Sequence, residues 1–356
     1  MRPSGTSNAF DLVRLVLAGL VLYSHADLLS GYDHEWVKHL THGQTIAGSL
    51  AVLGFFGLSG FLVTRSFCTR ADALTFLRAR ALRILPGFYF ALFFTAFIAA
   101  PLLDRLNPQS SGWRWLDALN YCAKNSGLRV NAWHVGDAVR GLPFDQTING
   151  ALWSLFPEVC CYLGCLALGL IGAFRRWKIV TLAVTVGLFA AQIVLLHFPA
   201  QAHVLPGILR LTGWTPFLLA FSVGQALYVF GEYIRRPGII ATAAGGLLLL
   251  PFFLGDWLLW GPLLLPLALI CGAQVKTFHL RTDLSYGIYV LHFPVLQIFA
   301  AISALRENFA GYFAVSTAAT LALAWLSWHV IESPALRWKK PSPSGVRSAQ
   351  PPEKRA

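Results

Sequence analysis

Charge is scarce in this chain. Charged side chains form 12% of its 356 residues, about half the share found in a soluble domain, which is too little to cover a water-facing globule. Acidic residues are the scarcer sign, 16 against 28 basic ones. Cysteine is sparse too. Of the six cysteines, Cys160, Cys161 and Cys165 share one apolar segment and Cys68, Cys122 and Cys271 are scattered, so neither a disulfide framework nor a C-x-x-C or metal-ligand spacing is available. No run alternates apolar and polar residues as an outer-membrane barrel strand does, and the two halves show no convincing internal repeat. Asp11 and Arg14 interrupt the apolar N-terminus and no small-residue cleavage site follows, so it is expected to remain uncleaved.

Hydrophobic residues are abundant, 56% of the chain with 12 Trp, and the mean hydropathy is +0.59. The expected fold is all-α, a polytopic membrane helix bundle. A bilayer-spanning helix needs about 20 apolar residues, and that pattern places ten spans at 10–28, 46–66, 84–103, 148–173, 179–197, 207–231, 239–255, 257–275, 283–304 and 312–332. A cytoplasmic N-terminus puts 19 of the 28 basic residues on the cytoplasmic side, as the positive-inside rule requires, with both termini inside. The net charge of +12 therefore reflects topology and not nucleic-acid binding. One membrane domain covers 1–340, and 341–356 reads as a low-complexity, disordered cytoplasmic tail. The one long connection, about 104–147, is either a lid or binding loop or a plain surface excursion.

Polar residues at membrane depth are costly and need a purpose. Arg14 and His25 stand eleven residues apart, three helical turns plus about 20°, so they share one face about 16 Å apart along the axis. That stripe is expected to wall a buried reaction channel. In the second span, GFFGLSGF at 54–61 brings three glycines and Ser59, either a helix-packing face or a surface for an acyl chain or thioester. Arg80 and Arg83 are helical neighbours at the cytoplasmic boundary, with a guanidinium geometry suited to phosphate, and Pro86 is expected to break or kink the helix there. Glu158, four residues before Tyr162, is the acidic residue placed deepest and needs a partner, for which His25, His292 and the arginines are candidates. LSYGIYVLHFP at 284–294 carries Tyr286 and His292. Glu332, closing the last span, could pair with the arginines. No metal pattern is present.

Arg14 with ten residues before His25, FFGLSGF at 55–61, RALRILP at 80–86, NGALWSLFPE at 149–158, LSYGIYVLHFPV at 284–295 and Glu332-Ser333-Pro334 occur in order along about 10–335. Over that length the chain resembles the acyltransferase-3 family of integral membrane O-acyltransferases. The resemblance implies acyl-CoA, usually acetyl-CoA, as donor substrate and no permanently bound cofactor. It implies a carbohydrate or glycolipid hydroxyl as acceptor, as in polysaccharide O-acetylation at a bacterial cytoplasmic (inner) membrane. It implies an essential role for His25 and support of donor binding or catalysis by Arg14. Taken together, residues and resemblance assign catalysis to His25, Glu158 and Arg14, and donor contacts to Arg14, Ser59, Arg80, Arg83, Tyr286 and His292. The fused extracytoplasmic SGNH domain of some family members is not expected here, and Ala79 separates Arg78 from Arg80 where a consecutive arginine pair is common. Membrane lipid is a partner, and a homodimer is compatible with the pattern. A proton-coupled transporter or flippase would also place His and Glu at depth.

Overall fold

The computed structural model describes residues 9–338 except 71, 212, 276, 277, 279 and 281. Arg2, Lys276, Arg281, Lys339, Lys340 and the tail at 341–356 lie outside the described residues. Every regular element among those described is helical. The helices that matter here are α1 (Phe10–Ser30), α2 (Ala47–Arg70), α3 (Ala73–Phe94), α4 (Trp115–Asn125), α5 (Leu155–Leu170), α6 (Lys178–His197), α7 (Thr215–Val229), α8 (Pro237–Leu254), α9 (Trp257–Ala273), α10 (Ser285–Ala300) and α11 (Phe309–Ser327).

Seven helical stretches are long and apolar enough to cross a membrane, whereas α7, α9 and α10 are apolar but shorter. They have 15, 17 and 16 residues, below the roughly 20 that an upright span needs. The stretch expected at 207–231 is broken. Gly213 takes a φ of +67°, which glycine adopts without strain, and this separates a single turn at Gly207–Leu211 from α7.

Helix α3 begins eleven residues earlier than expected. Asp72 caps it by accepting the Thr75 amide at 2.7 Å, which satisfies one of the orphan donors of the first turn. The helix then runs through Pro86 and continues by a π-helical turn at Thr95–Ala99 to Leu106. Helix α11 likewise passes through a π turn, Trp328–Glu332, into Ser333–Arg337.

Glycine sets the tightest crossing. A β-carbon on Gly60 would overlap the Phe221 carbonyl of α7, and one on Gly224 would overlap the Gly57 carbonyl of α2, so the backbones meet directly. The packing reading of the GFFGLSGF glycines is therefore correct. Helices α1, α2, α3, α10 and α11 pack around one another, while α7 and α9 join α2 to the second group containing α6 and α8. At one end of the bundle Arg175 donates to the Cys68 carbonyl at 2.5 Å and Lys178 pairs with Glu232 at 2.5 Å. This brings the end of α2 and the α5–α6 and α7–α8 turns together.

The long connection is neither unstructured nor loose. It contains α4, and the Trp113 indole donates to the Ala96 carbonyl at 3.0 Å. Asn107 donates to the Ala138 and Arg140 carbonyls at 3.1 and 2.8 Å. Gln297 of α10 donates to the Phe144 and Thr147 carbonyls, both at 2.9 Å. The connection is thus a cap docked on α10, and Phe144 lies 6.2 Å from the Phe293 ring.

Candidate active site

A cavity of about 100 Å³ opens where α1, α2, α3, α5 and α10 converge. Its cationic end carries Arg14, Arg80 and Arg83. Asp283, two residues before α10, binds the Arg83 Nη2 at 2.6 Å and the Arg14 Nη2 at 3.2 Å, and Arg14 also pairs with Asp11. Burial alone would raise the pKa of Asp283. The Arg83 and Arg14 cations and the Ser285 hydroxyl outweigh burial and hold it at about 2. Arg80 lies over the Tyr162 ring at 5.9 Å and Arg83 over Tyr286 at 5.8 Å, so aromatic faces hold both guanidiniums from the side. Tyr286 packs on Gly87 and donates its hydroxyl to the Ile84 carbonyl at 2.7 Å.

Deeper in the wall, Glu158 accepts from the Ser59 hydroxyl at 2.9 Å and from the Tyr162 hydroxyl at 2.5 Å. Among the described residues no hydrogen bond or ion pair joins Glu158 to His25 or His292, the two imidazoles among its expected partners, and its Oε1 is held by two hydroxyls instead. Apolar side chains of α2, namely Val52, Phe55, Phe56 and Leu62, line the cavity beside this polar cluster. At the far end the Ser154 and Tyr289 hydroxyls are hydrogen-bonded to each other, and Phe55 meets Tyr289 edge-on at 5.7 Å.

Behind Tyr289 lie the two histidines. His292 is fully buried, one turn along α10, with its ring 6.3 Å from that of Tyr289. Its Nε2 is 2.7 Å from the His25 Nδ1, and its Nδ1 is 2.9 Å from the Ile288 carbonyl oxygen. Phe293 meets the His25 ring edge-on at 5.0 Å. Pro294 lacks an amide hydrogen for the Val290 carbonyl, and Asn149 donates to that oxygen instead at 3.1 Å. This repairs α10 beside the pair.

Six of the eight residues singled out from the sequence, namely Arg14, Ser59, Arg80, Arg83, Glu158 and Tyr286, line this cavity. The two histidines do not, and His292 contacts His25 rather than the cavity. The stripe on α1 is not an open furrow either. Ala18 and Leu22, between Arg14 and His25, are buried against Ile288 and Ala324, so packed apolar side chains close that face between the two polar residues. Glu332 is buried beside Ser327, whose hydroxyl it accepts at 2.9 Å, and the carboxylates that pair with Arg14 and Arg83 are Asp11 and Asp283. Sequence reasoning missed Asp283, Ser154 and Tyr289. Tyr286, Tyr289 and His292 recur every three residues, a one-face signal that pointed to Tyr289. Asp283 precedes Ser285 at a helix start, where a carboxylate is ordinarily read as a cap.

Apolar spanning helices with charged and hydroxyl groups converging on a buried cavity define a multi-pass membrane protein. The chain belongs to the acyltransferase-3 family, whose sequence model, described as an acyltransferase domain, matches residues 7–329. It is similar to an O-acetyl transferase of Shigella phage Sf6, with 25% identity over 94% of this chain and 98% of that protein. It is similar to nodulation protein 10 of Rhizobium leguminosarum bv. viciae, with 28% identity over 94% of each chain. Acyltransferase MdmB of Streptomyces mycarofaciens is 27% identical over 86% of this chain and 85% of its own length. No solved structure matches the chain.

Proposed function

We propose that the protein transfers an acyl group, by default acetyl, from acyl-CoA to a hydroxyl of a carbohydrate or glycolipid in a bacterial cytoplasmic membrane. The observation that carries this reading is a cavity with three arginines at one end, a partly apolar wall, and a histidine pair packed behind Tyr289, which lines it. Guanidinium groups suit phosphate oxygens, and the apolar stretch suits a pantetheine arm. The similarity to a phage O-acetyl transferase favours acetyl transfer to oxygen.

In the reaction, Arg80 and Arg83, with Arg14 further in, hold the donor phosphates. His25 takes the proton of the acceptor hydroxyl, whose oxygen attacks the thioester carbonyl carbon. The carbon–sulfur bond breaks, and the thiolate leaves with the proton that His25 releases. General-base assistance of this kind contributes about 10² to 10⁴ in rate. Tyr289 stands between the cavity and the histidines, so its side chain must turn aside for the thioester to reach His25. The Ser59–Glu158–Tyr162 cluster shapes the cavity wall beside the donor.

Purified protein in lipid, supplied with radiolabelled acetyl-CoA and membrane acceptor, is expected to move label to the acceptor. His25→Ala is expected to insert normally and to lose transfer. Wild-type transfer by that variant, or solute flux by the wild type with no movement of label, overturns the reading.

A further inference from the structure

The two histidine rings are nearly coplanar, 8° apart with centroids 5.0 Å apart, and the facing nitrogens are separated by 2.7 Å. Such rings meet tip to tip through an in-plane N–H···N hydrogen bond and do not stack face to face. A chain of deductions runs from the fully buried end. The Ile288 carbonyl oxygen can only accept, so the His292 Nδ1, at 2.9 Å from it, carries a hydrogen. A second proton on His292 would place a cation in full burial with no carboxylate among its described contacts. The ring is therefore neutral and its Nε2 holds a lone pair. The hydrogen between the rings then belongs to the His25 Nδ1, and the basic lone pair of His25 sits on Nε2. Among the described residues no hydrogen bond occupies that atom.

We propose that His292 is a positioning residue: through its hydrogen bond it fixes His25 in the Nδ1-protonated tautomer, so that Nε2 is the atom that takes the acceptor proton. This deepens the function proposed above and rests on it for the identity of the proton taken. It also moves His292 from the donor contacts to the support of the base. His292 itself exchanges no proton. Its Nδ1–H stays on the Ile288 carbonyl throughout, and Nε2 accepts one hydrogen bond before, during and after transfer. The hydrogen bond strengthens when His25 becomes an imidazolium, because its donor is then charged. Phe293 against the His25 ring and Asn149 on the Val290 carbonyl hold the two partners in register.

The tautomer can be read without turnover. Protein labelled with ¹⁵N-histidine in lipid, with the His25 signals assigned by their loss in His25→Asn, is expected to show a protonated Nδ1 and a bare Nε2. The opposite tautomer overturns the inference. In the acetyl-transfer assay, His292→Leu removes the acceptor and is expected to lower kcat by about 10² to 10⁴, with KM for acetyl-CoA unchanged, as misplaced tautomers do in other histidine-based sites. His292→Gln keeps a side-chain carbonyl that can accept from Nδ1–H, and is expected to recover at least tenfold of that loss. An unchanged kcat in His292→Leu, or a raised KM for acetyl-CoA at constant kcat, overturns the positioning role. Wild-type protein that moves no label from acetyl-CoA overturns instead the function on which the inference rests.

Discussion

At the scale of single residues, Asp283 connects the site to the stability of the fold. It bridges Arg14 and Arg83 with its side chain 16% exposed, and a buried cation left without its carboxylate is costly. Its folded-state value of about 2 lies below that of a free aspartate. The pairing therefore contributes fully above about pH 4 and is lost as pH falls toward 2, a swing of about 2 kcal/mol. Thermal unfolding in detergent is expected to show wild-type protein losing stability over that interval and Asp283→Asn showing a smaller change. Equal pH dependence of the two proteins would rule the bridge out as its source. The six cavity residues foreseen from sequence were legible because arginine, glutamate, serine and tyrosine at membrane depth are improbable without a reason. Asp283 was not, since nothing in its neighbours announces that residues 14 and 83 converge there.

Helices show the same division between the legible and the hidden. Long apolar runs fixed most spans to within a few residues, and glycines at 57 and 60 announced a close crossing. Two boundaries went wrong for local reasons. Pro86 reads as a break or a kink, and α3 is not broken there but continues through it, because neighbouring groups at membrane depth can satisfy the carbonyl that proline frees. Gly213 reads as one more small residue, yet its left-handed backbone ends a turn. The crossing of α2 and α7 supplies a paired test. At Gly60 a methyl group would overlap the Phe221 carbonyl, whereas at Gly246 it would meet nothing within 4 Å. Gly60→Ala is expected to cost about 1 to 3 kcal/mol through overpacking, while Gly246→Ala, in an open helix interior, is expected to gain about 0.5 to 1 kcal/mol. Melting curves of both variants in one detergent decide it. Equal melting temperatures would mean that the crossing yields without strain.

At the scale of the whole molecule, the proposed reaction requires donor and acceptor to meet from two sides of the membrane. Arg14 and His25 lie about 16 Å apart on α1, about half of the roughly 30 Å hydrocarbon thickness. The apolar packing of Ala18 and Leu22 closes the direct line between them. In the proposed reaction an acyl group entering past the arginines would follow the cavity lined by α2, α5 and α10 and would need to reach only mid-depth. The arginine mouth lies at the bundle end that also gathers Arg175 and Lys178, and basic loops face the cytoplasm. The histidine pair lies toward the opposite end, under the cap that Gln297 ties to α10. Acetyl-CoA is too highly charged to cross a sealed bilayer unaided, so the side from which it works is measurable. Inverted membrane vesicles, with the cytoplasmic face outward, are expected to incorporate label from external acetyl-CoA, and right-side-out vesicles are expected to do so only after permeabilisation. Incorporation by sealed right-side-out vesicles alone would reverse the orientation, and the arginine end would then open away from the cytoplasm.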